Sequence, residues 1–362
     1  MKRKIYFFSH FPPPVHGFSN VNQFIYNKLI TGGLEVKRFS FVSSSKNTAI
    51  FYLKRILKAV YATLLVLKHL FSSRDDIFYM PVSGGAGMIF EALPWIFSGL
   101  SFKKSIMHHH SFQYCYKRSF MMGMMQKFNQ KNTYNVFLCH CHYEAFKKNY
   151  AINSDNVYII GNEMTLEAAA AAGGVLPVAS AEKMLTIGHL SNLSAEKGFY
   201  IFCDLVEKLA STGKNIRFEL AGPAGDAAIT SRITELQAKF PANFIYRGSL
   251  YGEQKNDWYR ALDFFVFPSV YKNETFPLVI VEAILLGVIP LTTNIACIPE
   301  YNNKAFTFSP DDFTAGAANV ILTGYDDEAY YETLKAKLAD TKRKAELTSK
   351  KELEDIMHLF KN

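Results

Sequence analysis

The sequence lacks several features that would settle its class at once. No Asp-x-Asp occurs anywhere, so a divalent ion held by that motif is not expected. No G-x-G-x-x-G follows the first strand pattern, which removes the dinucleotide fingerprint from the place a nicotinamide enzyme needs it. Only five cysteines are present among 362 residues, at positions 115, 139, 141, 203 and 297. Odd in number and scattered, they read as reduced thiols of a cytoplasmic protein, not as a disulfide framework. The N-terminus, MKRKIYFFSHFPPP, starts basic, but its apolar run is too short for a secretory leader and Pro12, Pro13 and Pro14 stop it. No short repeat is visible. The one apolar segment long enough to cross a bilayer, 51–71, is interrupted by Lys54, Arg55, Lys58, Lys68 and His69. A mid-span lysine is costly in lipid, so a helix of the fold or one lying on a surface is expected there.

What is present is an apolar, aromatic and basic chain. Hydrophobic residues make up 49% and aromatics 15%, and 40 Lys+Arg against 32 Asp+Glu give a net charge of +8. That balance suits an anionic partner. No nucleic-acid recognition motif accompanies the charge, so a nucleic-acid partner is not expected.

Short apolar runs alternate with helical patterns along the whole chain. Strands are predicted at 4–9, 35–42, 77–82, 104–110, 135–140 and 157–161, with helices near 19–31, 50–71, 86–99, 113–131 and 142–150. The second half repeats the scheme. Its strands are predicted at 184–190, 216–222, 243–249, 264–268, 288–293 and 305–309. Its helices are predicted near 198–212, 227–239, 254–262, 277–287 and 312–323, followed by a charged helical tail. Alternation of this kind gives parallel strands with crossover helices, an α/β class. The expected architecture is two doubly wound Rossmann-like domains facing across a cleft. The first covers 1–163, and the tail from about 345 to 362 is a segment that packs back on it. The second covers 184–344. Residues 164–183, with five alanines and two glycines, read as the linker. Open sheets of this type bind ligands at the carboxyl ends of their strands.

Four segments fall at such ends. In PSVYKNETFPLVIVEAILLG, 268–287, a strand ends, a polar loop carries Glu274, Pro277 is placed for the first turn of a helix, and Glu282 lies inside that helix. The amides around Thr275, Phe276 and Leu278, with the helix dipole, form an anion site beside two carboxylates. The same spacing also describes a capped helix with two solvated glutamates. In GHLSNLSAEKG, 188–198, Lys197 can reach a phosphate as a point charge. In HFPPPVHGFSN, 10–20, Gly17 allows a ligand close to the backbone. Finally, His108, His109 and His110 end a strand, the first and last sharing one face. No nearby carboxylate completes a metal site, and Cys139-His140-Cys141-His142 lacks zinc spacing. No metal ligand is assigned.

Together these segments resemble the retaining glycosyltransferases of family four, which have the GT-B fold. The resemblance covers most of the chain and is strongest over 184–301. Glu274 and Glu282 resemble that family's E-x7-E pair, in the context PS-x4-E-x-F-x5-EA that begins at Pro268-Ser269. Lys197 sits in EKG, Pro299-Glu300 matches IPE, His110 resembles the sugar-facing histidine, and Asn162 resembles the Asn that ends the N-terminal domain. The resemblance implies that Lys197 and the amides near Thr275 and Phe276 stabilise a departing diphosphate. It implies that Glu282 holds ribose hydroxyls and Glu274 the donor-sugar hydroxyls. His110 would lie near the anomeric carbon, and Gly17, Asn192, Ser269, Pro277 and Leu278 would line the donor. Catalytic roles then fall to His110, Lys197 and Glu274. There are three departures. Asn192 stands where the family commonly has Arg, Gly17-Phe18 replaces paired glycines, and Pro277 replaces a common glycine.

The implied activity is sugar transfer from a nucleoside-diphosphate sugar, UDP ahead of GDP, to a glycan or lipid-linked acceptor in bacterial polysaccharide or lipopolysaccharide synthesis. No cofactor or metal is implied. A nucleotide-sugar epimerase of the same shape and a non-catalytic nucleotide- or glycan-binding protein stay open as alternatives. Residues 51–71 and 117–131 both set basic residues beside apolar bulk. Both suit a peripheral position on an anionic membrane at the cytoplasmic face, each surface cation contributing about 1 kcal/mol. They equally suit helices packed on the first sheet with snorkelling lysines.

Overall fold

The structure is a computed structural model that describes residues 3–14, 17–45, 47–71, 75–166 and 184–361. It divides into two compact units, Met1–Thr165 with Lys351–Asn362, and Leu166–Lys350. The expected linker lies, from 167 to 183, outside the described residues.

The first unit holds a six-stranded parallel sheet of β1 (Lys4–Ser9), β2 (Glu35–Ser40), β3 (Ile77–Val82), β4 (Lys104–His109), β5 (Thr133–Phe137) and β6 (Val157–Ile159). The order is β2-β1-β3-β4-β5-β6. Central β3, IFYMPV, is buried at every position, as a strand covered on both faces must be. Edge strand β2 instead exposes Lys37 and Arg38, charges that discourage pairing with another chain. The crossovers are α1 (Gly17–Thr31), α2 (Thr48–Lys68), α3 (Met88–Ser101), α4 (Gln113–Tyr116), α5 (Phe120–Phe128) and α6 (His140–Lys147). Ala62 and Val66 of α2, Trp95 of α3 and Met122 and Met125 of α5 share one core cluster with Phe8, Phe78, Met80 and Met107 of the strands.

Two elements differ from expectation for local reasons. The helix expected over 113–131 breaks into α4 and α5 because Ser119 caps the second, its Oγ accepting the Met122 N–H at 3.4 Å. The strand expected to reach His140 stops at Phe137. Cys139 caps α6 instead, its Sγ accepting the His142 N–H at 3.2 Å. Cys115, Cys141 and Cys203 are free thiols, as expected; Cys139 and Cys297 are not.

The second unit repeats the architecture with β7 (Leu185–Leu190), β8 (Ile216–Ala221), β9 (Phe244–Tyr246), β10 (Phe264–Phe267), β11 (Ile289–Thr293) and β12 (Thr307–Phe308), all parallel. The order is β12-β11-β10-β7-β8-β9. β7 and β10, neighbours in space but not in sequence, mark the switch point where such sheets open a crevice. Its helices are α7 (Phe199–Ala210), α8 (Ala227–Lys239), α9 (Gly252–Arg260), α10 (Leu278–Leu285), α11 (Ile298–Tyr301) and α12 (Phe313–Asp326). The last helix, α13 (Glu328–Lys361), starts in the second unit, and its final residues belong to the first. There Glu352 accepts the Gly161 and Met164 N–H groups at 2.5 and 3.3 Å, and Phe360 meets Tyr79 edge-on. Charge is divided unevenly. The first unit has 22 Lys+Arg against 10 Asp+Glu, a net +12, and the second 18 against 22, a net −4.

Candidate functional site

The best-formed polar constellation sits at the switch point of the second unit. After β7 the chain turns through Ser191–Lys197 to Gly198, which precedes α7 with φ +81°. A Cβ on Gly198 would lie 2.2 Å from the Pro268 carbonyl oxygen, so glycine is required both for its conformation and for this close approach. The Val270 N–H donates to the Glu196 carbonyl at 2.8 Å, joining the same two loops. This junction brings Lys197, from one loop, onto Glu274, from the other. Lys197 Nζ lies 2.6 Å from Glu274 Oε2, Ser269 Oγ lies 3.2 Å from the same oxygen, and the ammonium stands 4.8 Å above the Tyr271 ring. Glu274 is buried, and a buried carboxylate is stable only with such partners.

Behind the loop, His189 fixes its own tautomer. Nδ1 lies 2.8 Å from the Val266 carbonyl, which can only accept, so Nδ1 carries the proton and Nε2 accepts from Ser191 Oγ at 3.0 Å. Burial lowers this histidine to about 4, so it is neutral near pH 7.

Glu282 occupies a second station on α10. Its Oε1 is 2.6 Å from Lys255 Nζ of α9, and its Oε2 is 3.3 Å from the Tyr259 hydroxyl, which also donates to the Val279 carbonyl at 3.1 Å. Burial, with the Glu282 charge beside it, raises the Tyr259 phenol well above its ordinary range, so it stays a donor. The two glutamates therefore answer to two cations, one from each neighbouring loop or helix. Pro277 differs from expectation. It is the N-cap with ψ 112°, not a first-turn residue, and Leu278 is the first helical position. Its carbonyl accepts the Ile280 N–H at 3.2 Å, so the ring sits just outside the helix and leaves the first turn's amides clear of it. Thr275 and Phe276 are buried, with Phe276 stacked 4.3 Å from Tyr301. Asn192 is exposed and Leu278 half-buried.

The remaining expected residues belong to the first unit. Gly17 is the exposed first residue of α1, and the next side chain, Phe18, meets His110 edge-on at 5.0 Å. The three histidines alternate as strand geometry requires. His108 and His110 rings lie 4.1 Å apart, while His109 stacks on Phe137 at 4.3 Å. His108 Nδ1 is 2.8 Å from the Tyr79 hydroxyl, and His109 lies 3.0 Å from both Tyr114 and Asn135. Only His110 keeps contact with solvent. Burial lowers both His109 and His110 to about 3. Among the described residues no group of three or more His, Cys, Asp or Glu is arranged to hold a metal ion.

Sequence reasoning missed Lys255, Tyr259, Glu91 and His10. Lys255 and Tyr259 are four apart on α9 and so share a face, a signal that was available. Glu91 looks like a solvated first-turn acid. In fact it is fully buried, accepting the Ser83 N–H at 3.0 Å and lying 3.4 Å from His10 Nε2. Nothing in the spacing announces that pair.

The family model described as Glycosyl transferases group 1 matches residues 182–327, the segment that carries the switch-point site. No curated protein matches the sequence. Among solved structures, a sucrose-phosphate synthase from Thermosynechococcus elongatus superposes with a TM-score of 0.71 at 15% identity, covering 99% of each chain. Anabaena Alr3699/HepE in complex with UDP-glucose gives 0.68 at 15% identity over 98% of each chain. WaaG, a glycosyltransferase involved in lipopolysaccharide biosynthesis, gives 0.61 at 12% identity over 97% of this chain and 99% of its own. At such identities the likeness is one of fold, and the chain has the GT-B fold.

Proposed function

We propose that the protein is a retaining, metal-independent glycosyltransferase. In this reading it moves a sugar from a nucleoside-diphosphate sugar, UDP ahead of GDP, to a glycan or lipid-linked acceptor of a bacterial cell-surface polysaccharide or lipopolysaccharide. One observation carries it: the Lys197–Glu274 pair, at 2.6 Å, stands at the switch point beside the N-terminus of α10, with Glu282 further along that helix. Support also comes from the family model over 182–327 and from the UDP-glucose bound by Anabaena HepE.

The barrier to transfer is departure of a nucleoside diphosphate, so fixed positive charge and oriented dipoles are the catalytic need. In our reading the diphosphate draws Lys197 Nζ from Glu274, and the first amides of α10 take further phosphate oxygens. Glu274, released from the lysine, accepts from donor-sugar hydroxyls. Glu282, oriented by Lys255 and Tyr259, accepts from the ribose hydroxyls. Gly17 and His110 keep the roles that the family resemblance gives them. We place the protein in the cytoplasm or peripherally on the inner membrane's cytoplasmic face. Among the described residues no helix is long and apolar enough to cross a membrane. The exposed, neutral Asn192, where a phosphate-binding cation is usual, favours a non-catalytic nucleotide binder as a second reading.

A thermal-shift panel of nucleoside diphosphates and their sugars tests the site. A ligand at 100 times its Kd stabilises the folded state by about 2.7 kcal/mol. Nucleoside diphosphate released only when acceptor is added, and still released in EDTA, identifies a metal-independent transferase. Binding without release in the presence of any acceptor identifies the second reading. Loss of activity in EDTA, restored by a divalent ion, overturns metal independence.

A further inference from the structure

Helix α2 is apolar on both sides. Its inner face is buried against the sheet through Ala62 and Val66. The outward stripe of such a surface helix is normally polar. Here it is Ile50, Leu53, Leu57, Val60 and Leu64, spaced by threes and fours, and these side chains are 46–59% exposed. Helix α3 packs alongside and continues the pattern, with Ile89, Leu93 and Leu100 exposed on one face. In the second unit the exposed large apolar residues, among those described, are single and scattered, such as Tyr200, Tyr251 and Leu347. A contiguous apolar face of this kind marks an interaction surface.

The charges around it select the occupant. Helix α2 contains no Asp or Glu. Lys54 and Lys58 run along one edge, their amines reaching the carbonyls of Ser44 and Ser40 at 3.3 Å, and Lys68 closes the helix. The acid of α3, Glu91, is turned inward and fully buried. A second copy on this face would set two units of net +12 against each other and leave the lysines unanswered. An anionic lipid surface answers both features. Acyl chains cover the apolar stripe and headgroups neutralise the lysine edge. Long enough at 21 residues but carrying Lys54, Arg55, Lys58 and Lys68, α2 does not qualify to span a bilayer, so it would lie in the interface plane.

We propose that the outer face of α2 and α3 is a docking surface for an anionic phospholipid bilayer. The proposal stands on this surface and does not depend on the transferase reading.

Flotation of the full chain with vesicles tests it, using phosphatidylglycerol mixed with phosphatidylcholine against phosphatidylcholine alone. The protein floats with the anionic vesicles at low salt, and roughly tenfold less with neutral vesicles or at high salt. The double variant Leu57→Glu/Leu64→Glu changes only outward side chains. It loses flotation by a similar factor while keeping the wild-type circular dichroism, melting temperature and UDP-induced thermal shift. Lys54→Glu falls between the two. Wild-type protein left at the bottom of the gradient with anionic vesicles overturns the proposal. So does a double variant that floats as well as wild type, or a wild-type dimer that the double variant converts to monomer. Flotation without any UDP shift leaves the docking surface standing and removes the transferase reading alone.

Discussion

The two units share an architecture and differ in how they handle polarity. At the strand ends of the first unit most of the buried polar groups are rings: His108, His109 and His142 are fully buried among Tyr79, Tyr114, Phe137 and Phe146, with the Glu91 carboxyl beside His10 as the exception. In the second unit buried carboxylates are paired with partly exposed cations: Glu274 with Lys197 at the strand ends, Glu282 with Lys255 between helices α10 and α9, and Glu219 with a bidentate Arg247 at 2.7 and 2.8 Å. An anionic ligand can take the place of Glu274 at Lys197, provided that hydroxyl or N–H donors take over the buried carboxylate, which is otherwise left uncompensated. A cluster of neutral rings offers no such exchange. In our proposal anion binding belongs to the second unit, despite its net charge of −4, and the basic surplus of the first unit serves a surface role.

The largest effect that would sharpen this contrast is at Lys197. Lys197→Ala should lower turnover by about a hundredfold or more, the scale of a lost transition-state donor. Asn192→Arg should leave turnover unchanged or raise it. Steady-state kinetics decide, and normal turnover in Lys197→Ala would move the phosphate site elsewhere. Next come the two glutamates. Glu282→Ala should chiefly raise KM for the donor and Glu274→Ala chiefly lower kcat, each by about 1.5–3 kcal/mol as for a hydrogen bond to a charged group. Equal and unchanged kinetics in both would remove the assignment.

The third effect separates the units by pH. In the first unit burial depresses His109 and His110 to about 3, and His108 and His142 well below 6.5. The second unit has one comparable histidine, His189, at about 4. A group whose folded pKa is depressed contributes its full stability above its unfolded value and loses it as pH falls through the folded one. The first unit should therefore loosen first on acidification from about pH 6.5. Amide exchange followed by mass spectrometry at pH 7 and in mild acid, resolved by segment, would show uniform protection if the prediction is wrong.

The smallest effect concerns the tail. Burial, then the nearby Glu163, hold Glu352 well above the ordinary carboxylate range. A raised folded pKa means a contribution complete below the unfolded value and fading as pH climbs toward the folded one. Stability conferred by residues 351–361 on the first unit should thus decline steadily as pH rises from about 4.5 to about 9. Glu352→Gln should flatten that slope in melting curves. An unchanged slope would place the charge elsewhere.

Much of this was readable in the sequence because apolar runs and turn residues act locally. β1, β3 and α8 fall at the predicted bounds, since continuous Val, Ile, Phe and Tyr runs and the Asp226 cap leave little choice. The breaks at Ser119 and Cys139 were not read, because a cap's hydrogen bond depends on one side-chain rotamer. Within the site, Glu274, Lys197 and Glu282 were legible as a pattern. That Lys197 neutralises Glu274, and that Lys255 answers Glu282, depends on loops more than 25 residues apart in sequence. The first pairing follows from the strand order that makes β7 and β10 neighbours, the second from the approach of the helices before and after β10. Glu91 and His10 escaped for the same reason: first-turn glutamates are commonly solvated, and only the packing of α3 shows this one to be buried.

In our reading the Lys197 and Glu282 stations of the second unit bind a nucleoside diphosphate. Calorimetric titration of UDP into the wild-type chain and into Lys197→Ala and Glu282→Ala tests it most directly. One saturable site is expected in wild type, weakened at least about tenfold in each variant, as the loss of a charge-assisted contact requires. Wild-type protein that binds neither UDP nor GDP, or variants that bind with unchanged affinity, would contradict it.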